Sequence, residues 1–104
     1  MTAYNIVRMR VKPGRESEFL ELNRTMDETM VARMKENGFR RGAIVKTGER
    51  SYCFLGEWES MDAIVRSRSE MIKDLDRMRG LLDDLGSGLG VTDPVSGEAI
   101  LEFP

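Results

Sequence analysis

From Ala3 to Lys12 the chain alternates without interruption: Val7, Met9 and Val11 fall on one face of an extended segment, and Arg8, Arg10 and Lys12 fall on the other. This is a strand with two unlike faces, and Pro13-Gly14 stops it. Beyond that stop the period changes. Phe19, Leu22, Met26, Met30 and Met34 recur every three or four residues from about Glu16 to Asn37, with Glu16, Glu18 and Glu21 early in the run and Asn37-Gly38 as its cap, which predicts one amphipathic helix. The same switch then recurs. Phe39 to Thr47, centred on Ala43-Ile-Val45, and Ser51 to Trp58 read as a β-hairpin across Thr47-Gly-Glu-Arg50. Ser60 is placed to cap a second helix with an apolar stripe at Met61, Ile64, Met71, Leu75, Met78, Leu82 and Leu85. Gly86-Ser-Gly-Leu-Gly90 ends that helix, and Asp93-Pro-Val-Ser-Gly97 reads as a turn before a last strand, Glu98 to Phe103. The order β-α-β-β-α-β predicts an α+β fold, the ferredoxin-like split βαβ sandwich, with four antiparallel strands backed by two helices. At 104 residues the chain has length for one core, so residues 1–104 are read as a single domain.

Two helices cover only one side of such a sheet. On the uncovered side, Tyr4, Ile6, Arg8 and Arg10 mix apolar and basic groups, while Ser51 to Trp58 carries apolar side chains in both parities. A second copy of the chain, packed sheet to sheet about a two-fold axis, answers both observations and predicts a homodimer.

Composition narrows the chemistry. There is no histidine, which removes Ser-His and Cys-His catalysis, imidazole metal sites and a proximal-histidine haem ligand. The lone cysteine, Cys53, forms no internal disulfide and reads as a small buried hydrophobe. A formal net charge of -2 provides no field to recruit nucleic acid or an anionic membrane. No stretch approaches the roughly 20 apolar residues of a membrane span and the N-terminus lacks a leader pattern, so the expected location is cytoplasmic. The basic residues are twelve arginines against four lysines, and arginine is the better receptor for planar anions.

Several residues stand out. Trp58, the only tryptophan, sits where a strand runs into a helix; it either plugs the core or walls a pocket, and its indole N–H needs a polar partner if buried. Arg68 is the polar exception within the apolar stripe of the second helix. It reads as a receptor for a carboxylate, phenolate or developing oxyanion, or else as half of an ion pair with Glu57 or Glu59, or as a side chain that a bend near Ser67-Arg-Ser69 lets out to water. Met26, Met30, Met34, Met71 and Met78 fall at core spacing and read as adaptable packing. Asp83-Asp84 with Asp93 matches no cation loop, and the glycine-rich segment after the second helix does not open a helix as a dinucleotide loop would.

Ile6-Val-Arg-Met-Arg-Val-Lys-Pro-Gly14, followed by an acidic helix with Phe19-Leu20 and later by Phe54-Leu-Gly-Glu-Trp-Glu-Ser-Met-Asp-Ala63, resembles the antibiotic biosynthesis monooxygenase family of dimeric α/β barrels. The resemblance implies a pocket between sheet and helices within each subunit, and oxidation of aromatic molecules without metal, flavin or haem. A haem-degrading branch is similar too, with an Asn on the first strand, a Trp ending the third and a helix His about ten residues later. Asn5 and Trp58 match the first two, but ten residues after Trp58 stands Arg68, which does not ligate iron. The implied function is a cofactor-independent monooxygenase acting on a small aromatic or quinol-like metabolite. Within it Arg68 stabilises the substrate anion, and Trp58 and Asn5 orient it, Asn5 offering both donors and acceptors. Tyr4 and Tyr52 are further candidates for proton donation. Two other classes fit the same scaffold: a non-catalytic ligand-binding or accessory protein, and an isomerase or cyclase that moves a proton with a carboxylate or tyrosine.

Overall fold

The alternating N-terminal segment becomes an interior strand. In a computed structural model that describes residues 1–26 and 28–104, β1 (Ala3–Arg10) pairs antiparallel on one side with β3 (Ser51–Trp58) and on the other with β4 (Asp93–Glu98), while β2 (Phe39–Gly48) pairs with β3 at the sheet's edge. The order β2-β3-β1-β4 is that of the ferredoxin-like sandwich. Ala3, Asn5, Met9 and Val11 turn toward the helices and are buried, whereas Tyr4, Ile6 and Arg8 are exposed on the opposite face, as the alternation requires. A bulge between Phe39 and Arg41 resets β2, so that Phe39, Gly42 and Ile44 stand opposite Trp58, Gly56 and Phe54.

The first helical run is divided, where one helix was expected. It forms α1 (Glu16–Arg24) and α2 (Glu28–Glu36), and the Thr25 hydroxyl marks the break by bonding the carbonyls of Glu21 and Leu22 at 3.0 and 3.3 Å. Asp27, which the single-helix reading included, lies outside the described residues. The expected cap at Gly38 is present. Its φ of +105° suits glycine, and a side chain there would meet Glu59 and Ala63 at 2.7 and 2.8 Å. Ser60 caps α3 (Met61–Met78) by accepting from the Ala63 N–H at 3.1 Å.

The second helix stops sooner than its stripe predicts. After Met78 a 3-10 turn over Arg79–Leu81, containing Gly80, redirects the chain so that Leu82 bridges to Val11 and both leucines are buried with Phe19 and Tyr52. The last strand is also displaced. Asp93–Gly97 is not a turn but most of β4, while Ile100, Leu101 and Phe103, expected in a strand, stand exposed beyond it. An edge strand tolerates Pro94, and Arg8 fixes the register by donating to Asp93 Oδ2 from Nε at 3.0 Å and from a terminal nitrogen at 2.6 Å. Cys53 is half-buried on the open face, not in the core between sheet and helices.

Candidate functional site

Between the sheet and its helices lies a cavity of about 780 Å3, well above the roughly 300 Å3 at which small-molecule sites begin. Its wall is largely apolar and unusually rich in sulfur: every methionine of the chain except Met1 lines it. The expected packing methionines therefore both pack and bound a space, with Met30, Met34 and Met78 buried and Met26 and Met71 half-buried. Polar groups in the wall are few. Asn5, Asn23, Arg68, Asp74, Thr92 and Ser96 provide them.

Trp58 is fully buried and stands behind this wall, not in it. It packs edge-on against Phe39, with ring centroids 5.0 Å apart, and among Ala3, Met30, Met34, Ala63 and Ile64. Its indole N–H donates to Asn5 Oδ1 at 2.7 Å, the polar partner that a buried indole requires. Gly56, opposite Asn5 on β3, makes that bond sterically feasible: a Cβ at this position would lie 2.3 Å from Asn5 Oδ1 and 2.9 Å from Trp58 Nε1. Sequence reasoning passed over Gly56, although a glycine inside a strand is the usual mark of a close approach.

With Oδ1 committed to the indole, the Asn5 amide directs its nitrogen elsewhere. Nδ2 lies 3.7 Å from the Met71 sulfur, a weak acceptor, so the donors of a 4%-exposed amide have no strong acceptor among the described residues. Arg68 lines the same cavity from α3 and is exposed, so its guanidinium bears no desolvation cost. Neither ion pair considered for it forms: Glu57 pairs with Arg41 at 3.3 Å and Glu59 with Arg66 at 3.9 Å. Among the described residues Arg68 makes no ion pair. The fold thus brings Asn5 and Arg68 to one cavity and places Trp58 as the support of Asn5.

Asp74 is the wall residue that the sequence reading missed. Its side chain is 16% exposed, and Arg77, one turn on, donates to Oδ1 at 3.0 Å. Burial pushes its carboxyl upward from the ordinary value while Arg77 pulls the other way. The signal was available, because residue 74 lies three after Met71 and four before Met78 and so belongs to the stripe.

The tyrosines serve elsewhere. Tyr4 lies on the open face and donates to Glu57 at 3.2 Å. Tyr52 is buried beside Phe19 and donates to Glu16, which also receives Lys46 at 2.9 Å. The Tyr52 hydrogen bond, followed by that of Lys46, holds the Glu16 carboxyl below its ordinary range, and the Tyr52 phenol is correspondingly raised. Asp83 and Asp93 are engaged by Arg50 and Arg8. No helix among the described residues is long and apolar enough to cross a membrane.

Comparisons with known proteins agree with this architecture. Among curated proteins none matches the chain. A dimeric ferredoxin-like protein from an uncultured marine organism superposes with a TM-score of 0.76 at 16% identity, covering 99% of this chain and 91% of its own. SnoaB, a cofactor-independent oxygenase from Streptomyces nogalater, gives 0.70 at 18% identity, covering 99% and 97%. Rv0793 from Mycobacterium tuberculosis gives 0.71 at 14% identity, covering 98% of each chain. At these identities the likenesses establish the fold. The model of the antibiotic biosynthesis monooxygenase family matches residues 2–72, more than half of the chain, and the sheet order agrees with it, so the chain belongs to that family.

Proposed function

We propose that this protein is a cofactor-independent monooxygenase acting on a small aromatic or quinol-like metabolite. The observation that carries the reading is the pairing of the Asn5 amide, turned by Trp58 so that its N–H groups have no strong acceptor among the described residues, with an Arg68 guanidinium that makes no ion pair among them, in a largely apolar cavity. Such a site suits a flat apolar molecule that becomes an oxyanion. The Asn5 donors, held in place by the indole, and the nearby Arg68 cation stabilise negative charge as it develops on the substrate. Once ionised, the electron-rich substrate itself reduces dioxygen: one oxygen atom replaces two hydrogens of a ring methylene as a carbonyl, and the other leaves as water. Arg68 and Asn5 hold the anion, and Trp58 acts through Asn5.

Oxygen uptake with an anthrone or naphthoquinol tests the reading. Uptake above the rate of spontaneous oxidation is expected, and Arg68→Leu is expected to lower kcat/KM by about 10²-fold, as for loss of one oxyanion donor. Wild-type protein without uptake sinks the oxygenase. Tight binding without turnover would mark a ligand-binding protein, and turnover without oxygen an isomerase.

The same reading includes a homodimer through the open sheet face, supported by the dimeric ferredoxin-like relative. Ile6, Val45 and Leu55 are each 38% exposed there and Val95 is 58% exposed, with the Arg8–Asp93 and Arg41–Glu57 pairs on the same face. An apolar patch with charged neighbours suits a self-complementary contact. Light scattering at micromolar concentration should give twice the chain mass, and a clean monomer would refute the dimer.

A further inference from the structure

We propose that Asp74 is the proton acceptor of this cavity, taking the hydrogen whose loss turns a bound ring ketone into its enolate while Asn5 and Arg68 receive the charge at the opposite edge of the ring. The inference rests on the aromatic-oxygenation reading for its substrate class and adds to it the group that starts the reaction.

Placement on α3 is the first support. Arg68, Met71 and Asp74 follow one another at intervals of three, and all three line the cavity. At the rise of an α-helix Arg68 and Asp74 are separated by about 9 Å along the axis, with Met71 midway. Asn5 comes to Met71 from the Arg68 side, since its Nδ2 touches the Met71 sulfur while its Oδ1 is held by Trp58, which packs with Ala63 and Ile64 at the start of α3. A ring laid over Met71 therefore has cationic and amide donors toward one edge and a carboxylate toward the other. Molecules such as anthrone, in which the carbonyl and the acidic methylene lie across one ring, match this arrangement.

The carboxylate is also prepared for the task. Arg77 engages Oδ1 and holds the group in place, while Oδ2 has no partner among the described residues. A mostly buried carboxylate with one unbonded oxygen is a stronger base than one in water, and burial is the chief influence on this group. In the step itself the C–H bond breaks, the proton passes to Oδ2, and the electron pair stays with the ring and settles on the carbonyl oxygen. No oxidant is needed. After oxygen has added, Asp74 returns this proton to the outer peroxide oxygen; loss of the remaining methylene hydrogen as a proton then forms the carbonyl and breaks the O–O bond, and the outer oxygen leaves as water carrying both hydrogens.

Hydrogen exchange separates this step from oxygenation. Under argon in D2O, wild-type protein is expected to accelerate loss of the anthrone methylene signal, and Asp74→Asn to reduce that acceleration by about 10²-fold or more, with anthrone binding, read by Trp58 fluorescence, retained. Asp74→Glu, which keeps the carboxylate, should recover part of the rate and serves as the readout if the Asn variant does not fold. Exchange by the Asn variant at the wild-type rate would overturn the assignment, as would failure of the wild type to bind or exchange anthrone. Should wild type exchange in an Asp74-dependent way yet consume no oxygen when air is admitted, the proton acceptor stands and the monooxygenase reading falls.

Discussion

The two ends of the space between sheet and helices are built on different plans. At one end Met9, Val11, Phe19, Tyr52, Met78, Leu81 and Leu82 close into a packed cluster that meets the cavity only through Met9 and Met78, tied down by backbone bonds of 2.8 Å from Lys12 to Leu81 and from Asp83 to Arg10, and by the Arg50–Asp83 pair. At the other, Trp58 and its neighbours are buried just as completely, but they back onto a cavity and hold a polar amide at its wall. The carboxylates differ accordingly. Glu16 at the packed end has strong partners and is held low, while Asp74 in the cavity wall is only partly partnered and is pushed up. The packed end thus has its polar groups paired, while the other keeps amide donors without a strong acceptor among the described residues beside an open volume.

The comparison can be broken most directly at the packed end. Phe19 is fully buried, so Phe19→Ala should cost about 3–5 kcal/mol and lower Tm by more than 10 °C or so in a domain of this size; a loss below about 1 kcal/mol would remove the distinction. Next in size is Gly56→Ala. The new methyl group forces apart Asn5 and Trp58, at about 1–3 kcal/mol, and should shift the Trp58 emission and weaken ligand binding more than its effect on stability accounts for. Unchanged emission would refute the glycine's role.

The smallest effect has an informative sign. The folded Glu16 carboxyl lies below its unfolded value of 4.5, so its stabilisation is present above that pH and fades as pH falls through the depressed folded value. Asp74 has a folded value above 3.8, so its ionised form disfavours folding above the folded value and this penalty vanishes in acid. Urea titrations across pH should therefore show Glu16→Gln losing stability at neutral pH and converging with wild type in acid, with no such loss for Asp74→Asn. Parallel curves for the two variants would contradict the contrast.

Much of this fold was legible in local pattern. Alternation in β1, the Ser60 cap and the Gly38 cap depend on neighbours in sequence, and all were found. What escaped depends on distant contacts: β4 is registered by an Arg8–Asp93 bond across 85 residues, and the chain leaves α3 after Met78 because Leu81 and Leu82 are drawn under β1. The division of the first helix turns on the Thr25 hydroxyl, a single competing hydrogen bonder within a good periodic pattern. At the site, Trp58 and Arg68 drew notice as exceptions of composition, but the 53-residue separation of Trp58 from Asn5 hid that one supports the other. Asp74 was hidden by its abundance as a type, since a charged residue on a helix is ordinarily solvated.

The sulfur-lined wall has a bearing on selectivity. Unbranched thioether chains change rotamer at little cost, so the cavity can widen or narrow around a guest. Two of the polar groups cannot follow in the same way, because Asn5 is pinned by an indole and Asp74 by a guanidinium. Discrimination should accordingly be lax toward the girth of a molecule and strict toward the distance between its oxygen and its acidic hydrogen. Homologous ring systems differing in side-chain bulk would compete as near equals, whereas isomers with those two functions moved closer together would be refused.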